Sequence, residues 1–182
     1  KIVIAVSDSY CKPIKIFKDE DGVPQVRTAG MPLLASAPTI TNGTPGTTKS
    51  YIYAFTQEVT YIVGDTTFIS EGPAKRVTAT STTAITTGAG NTMEVTAIPV
   101  LANSTTDNYD TTNVKINVYR TTDTGTVLYR IGQISNGTTT YTDVKTDAAI
   151  QLLPTIYFAG TAIENDSPPP AKFVHMVNGK AY

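Results

Sequence analysis

Residues Asn113–Asp143 read NVKINVYRTTDTGTVLYRIGQISNGTTTYTD, and this stretch decides the fold class. Val114, Ile116 and Val118 alternate with Lys115, Asn117 and Tyr119, the period of two that a strand with one buried face requires. Asp123-Thr124-Gly125 closes a hairpin into Thr126–Ile134, where Val127, Tyr129 and Ile131 share a face. Ile134 falls out of phase after Gly132, which places a bulge there. Asn136-Gly137 is a hairpin-turn dipeptide, and Thr138–Asp143 is the strand after it.

The same punctuation extends in both directions. In Tyr51–Val63, Tyr51, Tyr53, Phe55, Val59, Tyr61 and Val63 share one face, while Thr56, Glu58 and Thr60 occupy the other. Gln57 interrupts the apolar face, and Gly64-Asp65 ends the strand. Thr66–Ser70 and Ala74–Thr80 follow, separated by Glu71-Gly72-Pro73, with Val77 and Ala79 opposed to Arg76, Thr78 and Thr80. Ser81–Asn91 is low in complexity and poor in bulky side chains, the composition of a mobile surface loop. Thr92–Ile98 alternates Met93, Val95 and Ala97 with Glu94 and Thr96, and Pro99 ends its ladder. Ala102–Thr112 is a polar loop. Upstream, Ile2–Val6 is an apolar, buried strand, and residues 12–28 form a hairpin with Ile14 and Ile16 on one face and the turn at Asp19–Gly22. Gly30–Pro45 is a connector. Downstream, Asp147–Leu153 makes one helical turn, and Ser167–Pro170 is an extended polyproline spacer. Strands with turns every 8–12 residues describe a two-sheet sandwich.

Composition agrees. Threonine is the commonest residue, which favours strands over helix interiors. A chain of 182 residues is one domain with extra elements at its ends, large enough to bury about 70% of its unfolded surface without a metal or disulfide staple. Cys11 stands alone, so neither an internal disulfide nor a cysteine-based zinc site is available. Net charge is −1 with 16% charged residues, and no basic patch is concentrated enough for nucleic-acid binding. No apolar run reaches the ~20 residues of a membrane-spanning helix, and no signal-peptide pattern is present. Lys1 stands in place of an initiator Met and Val177–Tyr182 stops in apolar material, so both ends read as cut from a longer polypeptide.

Residues able to carry chemistry are few. His175, the one histidine, sits in apolar FVHMV and reads as structural, because acid–base work needs partners the spacing does not supply. Cys11 reads as a small buried thiol. Asp107-Asn108-Tyr109-Asp110 and Asp19-Glu20-Asp21 are rich in oxygen, but neither has a calcium-loop spacing, and turn formation explains both. Gly88-Ala89-Gly90 lacks the Lys-Ser/Thr of a phosphate loop. Asn42-Gly-Thr, Asn103-Ser-Thr and Asn136-Gly-Thr fit the glycosylation pattern, which arises by chance in so threonine-rich a chain. No pair of carboxylates stands out for glycoside hydrolysis. Tyr109, Tyr119 and Tyr141 suit an exposed sugar- or protein-contacting surface and suit cross-strand packing equally well. No cofactor is indicated.

Tyr51–Thr80 (YIYAFTQEVTYIVGDTTFISEGPAKRVTAT) resembles a segment common in structural proteins of tailed bacteriophages. Lys115–Thr142 adds the companion pattern of IxVYRT, a Gly turn, LYRIGQI and TTTYT. Asp147-Ala148-Ala149, Leu153-Pro154-Thr155 and the closing SPPPAKFVHMVNGKAY are similar too. The resemblance implies a fibronectin type III-like or immunoglobulin-like sandwich over residues 36–165. Residues 1–35 and the Pro-rich connector and strand of 166–182 would belong to a larger β-rich, propeller-like body. It further implies a non-enzymatic virion component assembled in the host cytoplasm, a ring-forming tail hub or nozzle protein of a short-tailed phage. Its partners would be other tail proteins and copies of itself, with no nucleic acid or membrane bound by this module. The rival reading is a carbohydrate- or protein-binding accessory module of a bacterial surface protein or hydrolase.

Overall fold

The computed structural model describes residues 2–5, 13–42, 48–63, 65–86 and 91–156, and the strand pair at 176–177 and 180–181. Cys11, His175, the Gly88–Gly90 run and the Ser167–Pro170 spacer lie outside the described residues. The chain is an all-β sandwich. Its strands are β1 (Val3–Ala5), β2 (Ile14–Lys18), β3 (Pro24–Thr28), β4 (Thr39–Asn42), β5 (Lys49–Val63), β6 (Thr66–Glu71), β7 (Lys75–Ser81), β8 (Met93–Thr96), β9 (Val114–Arg120), β10 (Tyr129–Ser135), β11 (Tyr141–Asp143), β12 (Met176–Val177) and β13 (Lys180–Ala181). A single helical turn, α1 (Asp147–Ile150), is capped by Thr146, whose hydroxyl accepts from Ala149 N.

The long β5 organises the molecule. One side of it pairs antiparallel with β9, and β9 with β10. On the other side β7 pairs with its first half and β6 with its second, so β6 and β7 act as one bent edge. The bend falls at Gly72, whose N–H donates to Gln57 O at 2.8 Å. A side chain there would sit 2.8 Å from the carbonyl of Met31, so only glycine lets the 30–35 connector cross. The second sheet runs β11-β8-β4, and a third, β1-β2-β3, flanks the sandwich.

The core lies between the first two sheets. Tyr51, Tyr53, Phe55, Val59, Val114, Ile116, Val118 and Ile131 face Met93 and Val95 of β8, with Ile40 and Tyr141 at the margin. Their alternation along β5, β8 and β9 is the one the sequence shows. The bulge also falls where expected, with the β9–β10 register shifting between Arg130 and Gly132.

Other expectations are overturned. Met31 and Leu34, read as connector, are fully buried plugs of the sandwich core. Ala97 adopts a φ of 55° and points outward, so Ile98 takes the inward place. Val127 is exposed, and Leu128 packs on Ala54 and Tyr119 instead. Asn136-Gly137 does form a turn, with Gly137 at φ 100°, but β11 pairs with β8 rather than with β10. The turn thus hands the chain to the opposite sheet. Ser81–Asn91 is anchored over its described residues: Ile85 is buried, and the Asn91 amide donates to Ser81 Oγ at 2.9 Å and Thr83 O at 2.8 Å. In the flanking sheet, Val3 and Ile4 are exposed rather than buried. In β2, Lys15 and Phe17 face inward while Ile16 faces solvent.

Candidate functional site

Three polar or exposed features stand out, and each arises from β5 and β9 or from the flanking sheet.

Arg120 continues the Val114, Ile116, Val118 face of β9, so its guanidinium enters the core and must be matched there. Nη1 donates to Asp147 Oδ1 at 2.8 Å, and Nη2 to Lys145 O at 2.7 Å. Nε lies 2.7 Å from Asp143 Oδ2, off the N–H direction, so this contact is ionic rather than a directed hydrogen bond. Asp143 also accepts from Tyr53 OH at 2.7 Å and Lys145 N at 3.0 Å. The guanidinium carbon sits 4.8 Å from the centre of the Tyr51 ring. Burial, reinforced by the Asp143 charge, pushes the Tyr53 phenol well above its ordinary range and keeps it a donor. Asp147 Oδ2 in turn holds Asp123 N, and Asp123 holds Ser50 N and the Lys49 ammonium. The network staples β5, β9, β11 and α1 at one end of the sandwich.

On the opposite face of β5 and β9, Thr56, Glu58, Asn117 and Tyr119 are buried although the sequence assigns that side to solvent. Glu58 and Glu71 stand directly opposite each other on β5 and β6, a repulsive pairing unless donors lie between them. Asn117 Nδ2 supplies one, 2.9 Å from Glu58 and 3.1 Å from Glu71. Thr56 Oγ1 and Tyr119 OH also donate to Glu71, and Gln133 Nε2 donates to Glu58. Burial and the bond to Glu71 push the Tyr119 phenol upward.

Beside this face the β2–β3 hairpin leaves a groove of about 590 Å³. Its hairpin wall carries Arg27 and the Asp19 turn, and Asp110 and Asn113 lie along its far side. Glu58, Lys115 and Gln133 are presented on its floor by β5, β9 and β10. Asp19 accepts from Asp21 N, Val23 N and Gln25 Nε2, which makes it the turn residue expected. Asp110 accepts from Asn113 Nδ2 at 2.8 Å and Asp107 from Ser104 Oγ at 3.0 Å, again turn contacts.

The third feature is apolar. Val3, Ile16 and Val26 are register partners across β1, β2 and β3, and form an exposed row on the outer face of the flanking sheet.

The three tyrosines do not form a surface. Tyr109 and Tyr119 are buried at 4% and 2% exposure, and Tyr141 is half-buried. Tyr119 packs in the small cluster with Leu128, whereas Tyr109 and Tyr141 belong to the main core. Tyr141 lies over Gly132 and donates to Ile131 O at 2.9 Å, and burial pushes its phenol up to about 12. All three pack within the protein, Tyr119 and Tyr141 from strands and Tyr109 from the loop before β9. Sequence reasoning passed over Arg120, Asp143, Glu58 and Glu71. The signal for Arg120 was its place two residues after Val118 on an inward face.

Comparison with family models, with curated proteins and with solved structures gives no match to this chain.

Proposed function

We propose that this chain is a non-catalytic structural module of a bacteriophage tail protein, acting through contacts with copies of itself and with neighbouring virion proteins. The tail assignment rests on the resemblance of Tyr51–Thr80 and Lys115–Thr142 to tail-protein segments. The single observation that carries association is the row Val3, Ile16 and Val26, exposed at 47, 37 and 42%. A row of branched apolar side chains in cross-strand register is costly to leave in water and suits a second copy of the same face. The carboxylates support the reading, since Glu58, Glu71, Asp143 and Asp147 are engaged in bonds that join neighbouring elements.

The test is assembly of the full protein, followed by mass photometry and negative-stain imaging. Closed oligomers are expected, and Ile16→Lys with Val26→Lys should dissociate them while leaving the thermal midpoint of the sandwich nearly unchanged. A protein that stays monomeric at all concentrations, or oligomers indifferent to both changes, would overturn the reading.

A further inference from the structure

We propose that the groove between the β2–β3 hairpin and the outer face of β5, β9 and β10 binds a neutral saccharide. At about 590 Å³ it has the size of a small-molecule site. Its walls are held before any ligand arrives. The hairpin turn is fixed by three bonds to Asp19, and Phe17 packs on Tyr61 with ring centres 5.2 Å apart. Thr28 N donates to Asn108 O at 2.9 Å, which ties the hairpin to the sandwich.

The lining side chains choose the ligand class. Arg27 and Lys115 present donors, Glu58 and Asp110 present acceptors, the amide of Asn113 presents both, and Gln133, whose N–H groups are taken by Glu58 and Asn117, presents its oxygen. A sugar hydroxyl donates one hydrogen bond and accepts others, so alternating donors and acceptors on a fixed surface match a polyol. Half-buried Ile62 on the same surface offers an apolar contact to the C–H face of a pyranose ring, the Tyr61 ring being covered already by Phe17, Phe68 and the Lys15 ammonium.

Charge decides between rivals. The lining holds two more acids (Asp19, Glu20, Glu58, Asp110) than bases (Arg27, Lys115), which disfavours phosphorylated or sulfated ligands. A basic peptide would need free carboxylates. Glu58 is already bonded to Asn117 and Gln133 and lies 3.9 Å from Arg130, and Asp19 is consumed by its turn. These groups act as oriented acceptors rather than open charges.

The experiment is amide NMR titration of the full chain with maltotriose, triacetylchitotriose and mannotriose, with a heparin hexasaccharide and pentalysine as the anionic and cationic probes. At least one neutral trisaccharide should saturate at millimolar concentration and move the amides of Arg27, Lys115 and Gln133. Gln133→Ala, at an exposed position, should weaken that binding on the order of tenfold, with shifts of its own confined to the Glu58 and Asn117 neighbourhood that its side chain bonds. Asn113→Ala should do the same from the other wall. Binding of pentalysine alone, shifts confined to surfaces away from the groove, or affinity indifferent to both substitutions would each overturn the proposal.

Discussion

Arg120 is the largest side chain in the sandwich with no exposure at all, and its charge is tolerable only because four partners surround it. A buried ion pair adds little net stability over apolar packing, but breaking one strands a charge in a low dielectric. Arg120→Leu therefore leaves Asp143, itself fully buried, with only Tyr53 OH and Lys145 N. Urea denaturation should show a loss of about 3–5 kcal/mol. The double variant Arg120→Leu, Asp143→Leu should recover much of it, since the fully buried carboxylate is removed and Asp147, part-exposed, keeps Asp123 N and water as partners. A single-variant loss below about 1 kcal/mol would show that the guanidinium reaches water some other way. The sequence makes Arg120 visible as an inward position and makes it look wrong, because alternation reports direction and says nothing of partners. Three of the four, Asp143, Lys145 and Asp147, lie more than twenty residues downstream, in and between β11 and α1.

At the scale of elements, alternation places β5, β8 and β9 because their inward faces are apolar. It fails where both faces are covered. Thr56, Glu58 and Asn117 look solvated by composition, yet each is satisfied by a side chain from a neighbouring strand. It fails again in β2, where Lys15 lays its apolar stem inward and holds its ammonium 3.7 Å from the centre of the Tyr61 ring, leaving Ile16 outside. The Asn136-Gly137 turn is legible as a turn, but its local chemistry does not encode which sheet receives the next strand. The Asn136 side chain bonds to Leu101 and Thr111 help send the chain across.

Ser81–Asn91 misleads for a simpler reason, because one bulky apolar residue in a run of Ser, Thr, Ala and Gly carries little pattern. Ile85 is that residue. It is 2% exposed, packs in the main core, and donates its N–H to Tyr51 OH at 3.4 Å. Ile85→Ala should cost about 2–5 kcal/mol, as for other large-to-small core changes, and lower the thermal midpoint by several degrees. A midpoint unchanged within error would return this segment to the status of a surface excursion.

At the scale of the molecule, the open question is how firmly the flanking hairpin is held to the sandwich. Its attachments are the Thr28–Asn108 bonds, the bond from Asn108 Nδ2 to Val26 O, the Phe17–Tyr61 contact and Lys15 itself. Burial, with Arg27 nearby and Asp110 partly opposing, lowers the Lys15 pKa from 10.5 to about 8. Below pH 8 the ammonium is charged in folded and unfolded chains alike, and the folded state carries the full desolvation cost. Between pH 8 and 10.5 the unfolded chain keeps a proton the folded chain releases, so stability rises with pH. The tyrosine phenols whose pKa values are raised act in the opposite direction, but only above their ordinary value of 10. Among the described residues the interval from pH 8 to 10 therefore isolates Lys15, and its contribution to unfolding free energy should climb by about 2 kcal/mol across it. Lys15→Met keeps the stem over Tyr61 and removes the proton, so its profile over the same interval should be flat. Equal slopes in the two proteins would mean that the ammonium is hydrated, and that the hairpin is joined to the sandwich by its hydrogen bonds and Phe17 alone.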